Sequence, residues 1–570
     1  MKHIKNGSVN MKKVLYIFLL LLLSSAVDLL AQTVPLGTPL MEEYLRRQQL
    51  IGSLDPNVSF NIRPLYPAVA FNLKNGLDLD STFTDIANSE FHSLIGDKGK
   101  VMMMPISVRT QYNSNYAYGS NDGPMIPNRG LQTHFSMGLY VEYGKFSVQF
   151  QPDFIQAQNK QYQGFPEEHW GSTWLEYYEY LNMIDRPERF GTGSYTNFYL
   201  GQSSIRYSTE HISVGISSES LWWGPAKRNS LLMSNNAPGF LHLTLNTRKP
   251  IESPIGSFEG QLIAGRLDAS GFPPPNHLHS VQYQMLHHPK RDKDWRYLAG
   301  VVLSYQPKWV QGLSLGYSSV SQMYHNDMTT FGDYLPIFNG NKRNPAVSSG
   351  ADNVRNQLSS GFFRWVMPNG HFEFYGEYGS NGNSKRFREF IVNPDENRAY
   401  TLGFVNLIPL KDKQFLQVHM EMTHTGQTVR RGIRNMNSWY THSHVRHGYT
   451  HQGQVIGAGI GSGSNVLFGE ISWVREFNRL GFQLERIENN NDFYYKRFEI
   501  ILDWRRKYVD IVPALVADWK IDNFLISSKL QYVNSLNYMW YLEEDPNNYL
   551  APGMDRKNFV ANIGVAYIFR

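Results

Sequence analysis

The sequence predicts an all-β fold: a transmembrane antiparallel β-barrel of about 18 strands, with a short N-terminal helical segment and plug-like connections. Three observations predict it. From about residue 101 to the C-terminus, apolar residues alternate with period two in roughly 16–20 segments, split by Gly, Asn, Pro and Asp turns. Aromatic residues are abundant (33 Phe, 34 Tyr and 12 Trp) and many fall at segment ends, where interfacial girdles belong. Finally, mean hydropathy is −0.41 and the one long apolar run lies at the N-terminus, which argues against a bundle of membrane helices. The absence of Cys excludes a thiol redox site, a disulfide scaffold and a Cys-ligated zinc site, and the aromatic load excludes disorder.

The N-terminal run reads as a secretory signal. Lys12 and Lys13 precede an apolar stretch from Val14 to Leu23, followed by Ser24, Ser25, Ala26 and a small exit residue at Ala31. Met11 competes with Met1 as the start, and a membrane anchor is the alternative, although Asp28 interrupts the run. The expected organisation is a signal peptide at 1–31, an N-terminal segment with one amphipathic helix at 32–100, and the barrel at 101–570. Removing residues 1–31, with four Lys and one Asp, lowers the net charge from +5 to about +2, which offers nothing to a nucleic-acid partner.

Thr38 and Pro39 suit the cap and first turn of a helix ending at Gly52. Glu42 and Glu43 precede Arg46 and Arg47, the order that complements a helix dipole. Met41, Tyr44, Leu45 and Gln48 share one face, the face expected to dock.

Four segments show the strand pattern best. In residues 413–423, Leu416, Val418, Met420 and Met422 oppose Gln417, His419, Glu421 and Thr423. In 371–378, Phe372 and Phe374 oppose His371, Glu373 and Glu377. In 497–505, Phe498, Ile500, Leu502 and Trp504 oppose Glu499, Asp503 and Arg505. The last strand sets Phe559, Ala561, Ile563, Val565, Tyr567 and Phe569 on one face. Soluble sandwiches alternate too, but about 30 residues per strand with its connection suits a membrane barrel. An exported, aromatic-rich, Cys-free chain suits the bacterial outer membrane, with Arg570 following the terminal Phe569 as a departure from the usual ending.

Three long connections stand out. Residues 156–196 hold Trp170, Trp174, Tyr177, Tyr178, Tyr180 and the run Arg186-Pro187-Glu188-Arg189, with a helical pattern near 174–184, and read as a plug or lid. Residues 271–293 and 333–356 are rich in Pro, His, Asn and Gly.

No metalloprotease, phosphate-loop or nucleophile-elbow motif occurs. The stretch Gly457-Ala-Gly-Ile-Gly-Ser-Gly-Ser464 lacks dinucleotide spacing and reads as a kinked or closely packed strand. His442, His444, His447 and His451 lie close together, the first two on one face if the segment is a strand. Three readings stay open for them: a metal site, a polar aromatic surface that binds a ligand, or plain barrel wall. The cluster contains no carboxylate, and its neighbours are Tyr440, Arg446, Tyr449 and Gln452. His277, His279, His287 and His288 are spread along one connection, and pairs such as Glu167/Glu168 and Glu543/Glu544 read as solvated.

The most distinctive stretch runs from Glu219 to Phe240. Trp222 and Trp223 offer flat faces for sugar rings, Asn235 and Asn236 offer amides for hydroxyls, and Lys227 and Arg228 offer cations for acidic sugars. An interfacial Trp girdle followed by the Gly224-Pro225 turn is the competing reading.

This stretch resembles the Trp-Trp-Gly-Pro … Ser-Asn-Asn-Ala segment of the capsule assembly Wzi family, in the version found in the Bacteroides–Flavobacterium group. The resemblance extends through Asn121-Asp-Gly-Pro-Met-Ile-Pro-Asn-Arg-Gly130, Gln151-Pro-Asp-Phe154, Ala157-Gln-Asn159, Gly201-Gln-Ser-Ser-Ile-Arg206 and His447-Gly-Tyr-Thr-His-Gln-Gly-Gln-Val-Ile-Gly457. It implies an outer-membrane barrel of about 18 strands acting as a lectin that attaches capsular polysaccharide to the cell surface. Two departures are Ala226, where Gly is expected after Pro225, and one clear N-terminal helix in place of a small helical bundle. The expectation is a non-enzymatic, monomeric barrel without cofactor or metal, whose partners are surface polysaccharide and outer-membrane lipid. Trp222, Trp223, Lys227, Arg228, Asn235 and Asn236 are the expected polysaccharide contacts, with His444, Arg446, His447 and Tyr449 as further candidates. The rivals are a channel for saccharides or other small solutes, and a barrel hydrolase.

Overall fold

The computed structural model describes residues 33–38, 41–66, 70, 99–334, 354–381, 392, 398–428, 438–543, 547–548 and 553–569. The signal-peptide expectation and Glu544 lie outside the described residues.

Alternating apolar and polar residues give each wall strand a lipid face and a lumen face, and closure pairs every edge. Eighteen antiparallel strands form the wall. The first four are β1 (Gly99–Tyr118), β2 (Asn128–Tyr143), β3 (Phe146–Phe150, continued as Asp153–Ala157) and β4 (Tyr195–Tyr199, continued as Ser204–Ser208). Then come β5 (Ile212–Ser217), β6 (His242–Thr247, continued as Ile251–Ser253), β7 (Gly256–Leu267), β8 (Arg296–Pro307) and β9 (Leu313–Tyr324). β10 (Asn356–Met367), β11 (Phe372–Asn381), β12 (Arg398–Pro409), β13 (Phe415–His424) and β14 (Asn465–Arg475) follow. β15 (Asn478–Glu488), β16 (Val509–Ile521), β17 (Phe524–Leu536) and β18 (Arg556–Tyr567) complete the wall. β1 closes the barrel on β18, from Ile106 opposite Tyr567 to Asn113 opposite Val560.

The outer surface is the apolar face. Phe482, Leu515 and Leu530 are register partners on β15, β16 and β17, and all three are exposed. On β13, Met420 is 51% exposed, whereas Gln417, His419, Glu421 and Thr423 are buried in the lumen, the facing that the alternation predicts. Glu373 and Glu377 of β11 are likewise buried and Phe374 exposed. Such a belt belongs in a lipid bilayer. Connections at one end are tight, as at 144–145 and 476–477, and at the other they run to 158–194 and 425–464. Short turns mark the periplasmic end of such barrels and long loops the extracellular end. Trp473 and Trp519, 6.3 Å apart, and Phe524 and Tyr567, 5.0 Å apart, supply aromatics at the short-turn end.

Inside the wall, the N-terminal segment enters from the short-turn end. Helix α1 (Met41–Leu50) ends at Gly52, whose φ of +78° supplies the left-handed residue that a helix stop requires. Its apolar stripe docks as expected, with Tyr44 stacked 3.8 Å from Phe477. Much of the polar side is buried as well, which corrects the one-faced reading: Arg46 is buried and meets Glu373, and half-buried Glu43 meets Lys227 at 2.7 Å. Inside the lumen, charges that complement the helix dipole also tie it to the wall at Glu373 and to residues 218–240 at Lys227.

Three further expectations are corrected. Residues 497–505 are not a strand: helix α3 (Asn491–Arg497) and short helical turns at Glu499–Ile501 and Trp504–Arg506 occupy the region. Asn490 caps α3 by accepting from the Phe493 N–H, and Phe498 is drawn into an aromatic cluster, so helix formation outweighs a short alternation. The Gly457–Ser464 stretch is a loop in which glycines allow close approach: Tyr440 lies against Gly457 and Asn236 against Gly459. Residues 438–449 are also a loop, so His442 and His444 do not share a strand face.

Candidate functional site

Residues 218–240 return into the lumen from the long-connection end, and wall carboxylates hold them there. Glu421 accepts backbone N–H bonds from Lys227, Arg228 and Asn229 at 3.0, 3.2 and 2.9 Å. Glu377 accepts from the Leu231 N–H at 3.1 Å. Trp222 and Trp223 pair with Arg63 and Ile62 in a two-residue ladder. Trp223 is fully buried and donates its indole N–H to Gln261 at 2.8 Å. Arg63 lies 4.5 Å from the Trp222 ring centre. The Trp pair therefore packs the plug and forms no interfacial girdle, which corrects that competing reading. Neither ring presents an open face.

Above this plug sits a chamber of about 250 Å³, close to the lower end of the ~300–1,000 Å³ usual for small-molecule sites. Tyr116, Tyr118, Tyr177, Tyr508, Tyr538 and Trp540 are among its walls, and Arg228, Asn229 and Asn236 belong to its plug side. Helix α2 (Gly171–Leu181), close to the helical pattern expected at 174–184, carries Tyr177 and Tyr180 into the chamber. The connection that holds it is the lid of the long-connection end. Its ring cluster is tight, with Phe165 stacked on Tyr177 at 3.9 Å and Phe493 4.7 Å from Trp540. The buried Asn121 Oδ1, Asn229 Oδ1 and Trp540 Nε1 have no protein partner here. Burial pushes the Glu188 carboxyl up to about 7, against hydrogen bonds from the Phe165 N–H.

A second cavity of about 310 Å³ lies deeper and is more highly charged, lined by Glu43, Lys227, Arg479 and Lys529 among others. Arg228 borders both cavities. Its guanidinium pairs with Glu485 and lies 4.1 Å from the Phe468 ring centre, so it forms part of the partition between them.

The structure therefore distributes the expected contacts. Arg228 and Asn236 reach the chamber, and Asn236 is fixed by the Asn121 N–H at 3.0 Å and the Val455 carbonyl at 2.9 Å. Lys227 faces the lower cavity, and Asn235 packs near Gly37 and Gly123. Tyr449 is buried against Met233. The histidines do other work. His444 pairs with Asp327 at 2.8 Å and His447 with Asp292 at 3.0 Å, carboxylates brought in from other connections. The hydrogen bond from His447 holds Asp292 below its ordinary range, and burial holds His447 below its own. Arg446 donates to the backbone carbonyls of Asn182, His288 and Pro289. These residues lace the long connections together. Among the described residues, no three His, Asp or Glu side chains gather in a metal-holding group.

Sequence reasoning missed the chamber itself. Its aromatic walls come from β1, the 158–194 connection, the residue just before β16 and the 537–555 connection. The available signal was the concentration of Tyr and Trp in 156–196 beside the Arg186–Arg189 run.

The family profile described as "Capsule assembly protein Wzi" matches residues 107–515. The solved structure of Wzi, an outer membrane protein involved in group 1 capsule assembly in Escherichia coli and a carbohydrate-binding β-barrel, superposes with a TM-score of 0.59 at 13% identity, covering 95% of this chain and 100% of that one. That likeness is one of fold. OccAB2 of Acinetobacter baumannii superposes with a TM-score of only 0.39 at 9% identity, over 82% of this chain and 98% of that one, too weak a likeness to argue from. No curated protein sequence matches.

Proposed function

The chain belongs to the Wzi capsule-assembly family, and from that premise we propose that it is an outer-membrane, lectin-like barrel that binds capsular or other surface polysaccharide and helps attach it to the cell surface. The observation that carries this reading is the chamber: tyrosine and tryptophan rings and side-chain amides gathered at the long-connection end, above the plug formed by residues 218–240. Aromatic faces stack on sugar rings and amides bond to hydroxyls, so the chemistry suits a saccharide. The carbohydrate-binding description of the solved Escherichia coli relative supports the same reading. Binding, with no reaction, is the role proposed.

A saccharide channel would need an open lumen. Here residues 218–240 and the 438–462 loop place Trp223, Leu231, Tyr440 and Tyr449 in one buried cluster within the barrel. The test is genetic. Deleting the gene should move surface polysaccharide from the cell-bound fraction to the culture medium, and a plasmid copy should restore it. An unchanged cell-bound fraction in the deletion strain overturns the proposal.

A further inference from the structure

Arg186 stands in the chamber without a counter-ion. The other charged groups facing it are occupied. Arg228 is paired with Glu485, which also has Lys529 at 3.7 Å. Asp510 is bonded by Ser535 and by Asn489 at 2.8 Å, and Glu188 by the Phe165 N–H at 3.2 Å. Among the described residues Arg186 pairs with no carboxylate, and the groups that raise the affinity of its guanidinium for a proton are phenols, Tyr180, Tyr177 and Tyr508. Its side chain is exposed to the open space of the chamber. Gly461, at φ +75°, lets it lie close: a Cβ there would fall 2.6 Å from Arg186 Nη1. An unpaired guanidinium that faces open space is free to take an anionic group of a ligand in a charge-assisted pair.

We propose that Arg186 is the anion subsite of the chamber, and that the ligand is an acidic saccharide whose carboxylate or phosphate group it pairs while the sugar ring lies among the tyrosines. This deepens the polysaccharide reading and rests on it. A guanidinium binds a carboxylate or phosphate through two parallel N–H donors, and its planar fork fits both. Asn121, Asn229 and Asn236 in the chamber wall carry amide groups of the kind that bond ring hydroxyls.

The test measures binding of the folded, detergent-solubilised full-length barrel to three forms of the cell's own purified surface polysaccharide, fragmented to short oligomers. These are the native form, the same with carboxylates reduced through carbodiimide and borohydride, and the same dephosphorylated with hydrogen fluoride. Loss of a charge-assisted pair should cost roughly ten- to hundredfold in affinity. Arg186→Ala should lose that factor for native oligomer, and Arg186→Lys should recover part of it. One chemical treatment should cause the same loss in the unaltered protein and none further in Arg186→Ala, which tells carboxylate from phosphate. Heat-modifiable migration confirms that each variant is folded. If Arg186→Ala binds native oligomer normally, or if neither treatment weakens binding by the unaltered protein, the subsite is wrong while polysaccharide binding stands. If the unaltered protein binds none of the three forms, both readings fall.

Discussion

Replacing Glu373 with Gln removes one negative charge and almost no volume, at the point where the plug meets the wall. Glu373 is fully buried and pairs with Arg46 of α1 at 2.9 Å and with Arg364 of β10 at 2.6 Å. Stranding a buried charge by removing its partner costs about 3–5 kcal/mol, most of it from the charge left behind. Here two guanidiniums are left, but both keep other acceptors: Arg46 donates to the Pro225 carbonyl at 2.7 Å, and Arg364 to Gln49 at 2.9 Å and the Ser59 carbonyl at 3.2 Å. A loss near the low end, about 3 kcal/mol, is expected. It is read as a fall in the urea midpoint of barrel folded into lipid vesicles, at unchanged slope. Because the chain has no native Cys, Gln48→Cys on α1 gives a second readout: it should resist maleimide in the parent and label in the Glu373→Gln background. A loss below about 1 kcal/mol, with α1 still protected, would refute the idea that buried ion pairs lock the helix in place.

Met420→Arg, on the lipid face near the middle of β13, should cost about 2–4 kcal/mol and reduce heat-modifiable folded barrel on a gel. Gln417→Arg should also be damaging, because Gln417 is fully buried and donates to Glu470 at 3.1 Å, so the lumen face here is packed. Trp223→Ala should cost about 3–5 kcal/mol in vesicle unfolding, while the fraction that folds still binds polysaccharide, since the ring fills the plug and not the chamber. Glu188 has a folded pKa of about 7, above its ordinary value of 4.5. Its contribution to lid stability is therefore complete below about pH 4.5 and is lost as pH rises through 7. Hydrogen-exchange protection in residues 158–194, corrected for intrinsic rates, should fall over that window, and Glu188→Gln should flatten the dependence.

The barrel wall was legible because its cause is local. In β13 every second residue meets lipid, so Leu416, Val418, Met420 and Met422 carry the signal without knowledge of their partners. The same rule misled at 497–505, where the alternating apolar residues Ile500, Leu502 and Trp504 are exposed on helical turns and only Phe498 is buried. The lumen was not legible, because its order comes from distant pairs. Arg46 and Glu373 are 327 positions apart, and the charged residues of α1 look solvated until Glu373 stands opposite Arg46 and Lys227 opposite Glu43. The site was legible in chemistry and misplaced in position. Trp222 and Trp223 have the ring faces that sugars need, but the pairing with Ile62 and Arg63 buries them. The rings of the chamber wall arrive from four separate stretches, so no spacing in the chain announces them. Arg186 was visible as part of a charged run, yet only the structure separates it from Arg189, which donates to the Asn159 and Thr192 carbonyls.

The central claim is that this barrel holds saccharide in its chamber, and direct titration of the folded full-length protein with oligomers of the cell's surface polysaccharide tests it. The account predicts saturable binding at one site, with quenching of tryptophan fluorescence that Trp540→Phe reduces, since Trp540 is the tryptophan in the chamber wall among the described residues. A folded barrel that shows no saturable binding, or binding that leaves the fluorescence of the unaltered protein unchanged, would contradict it.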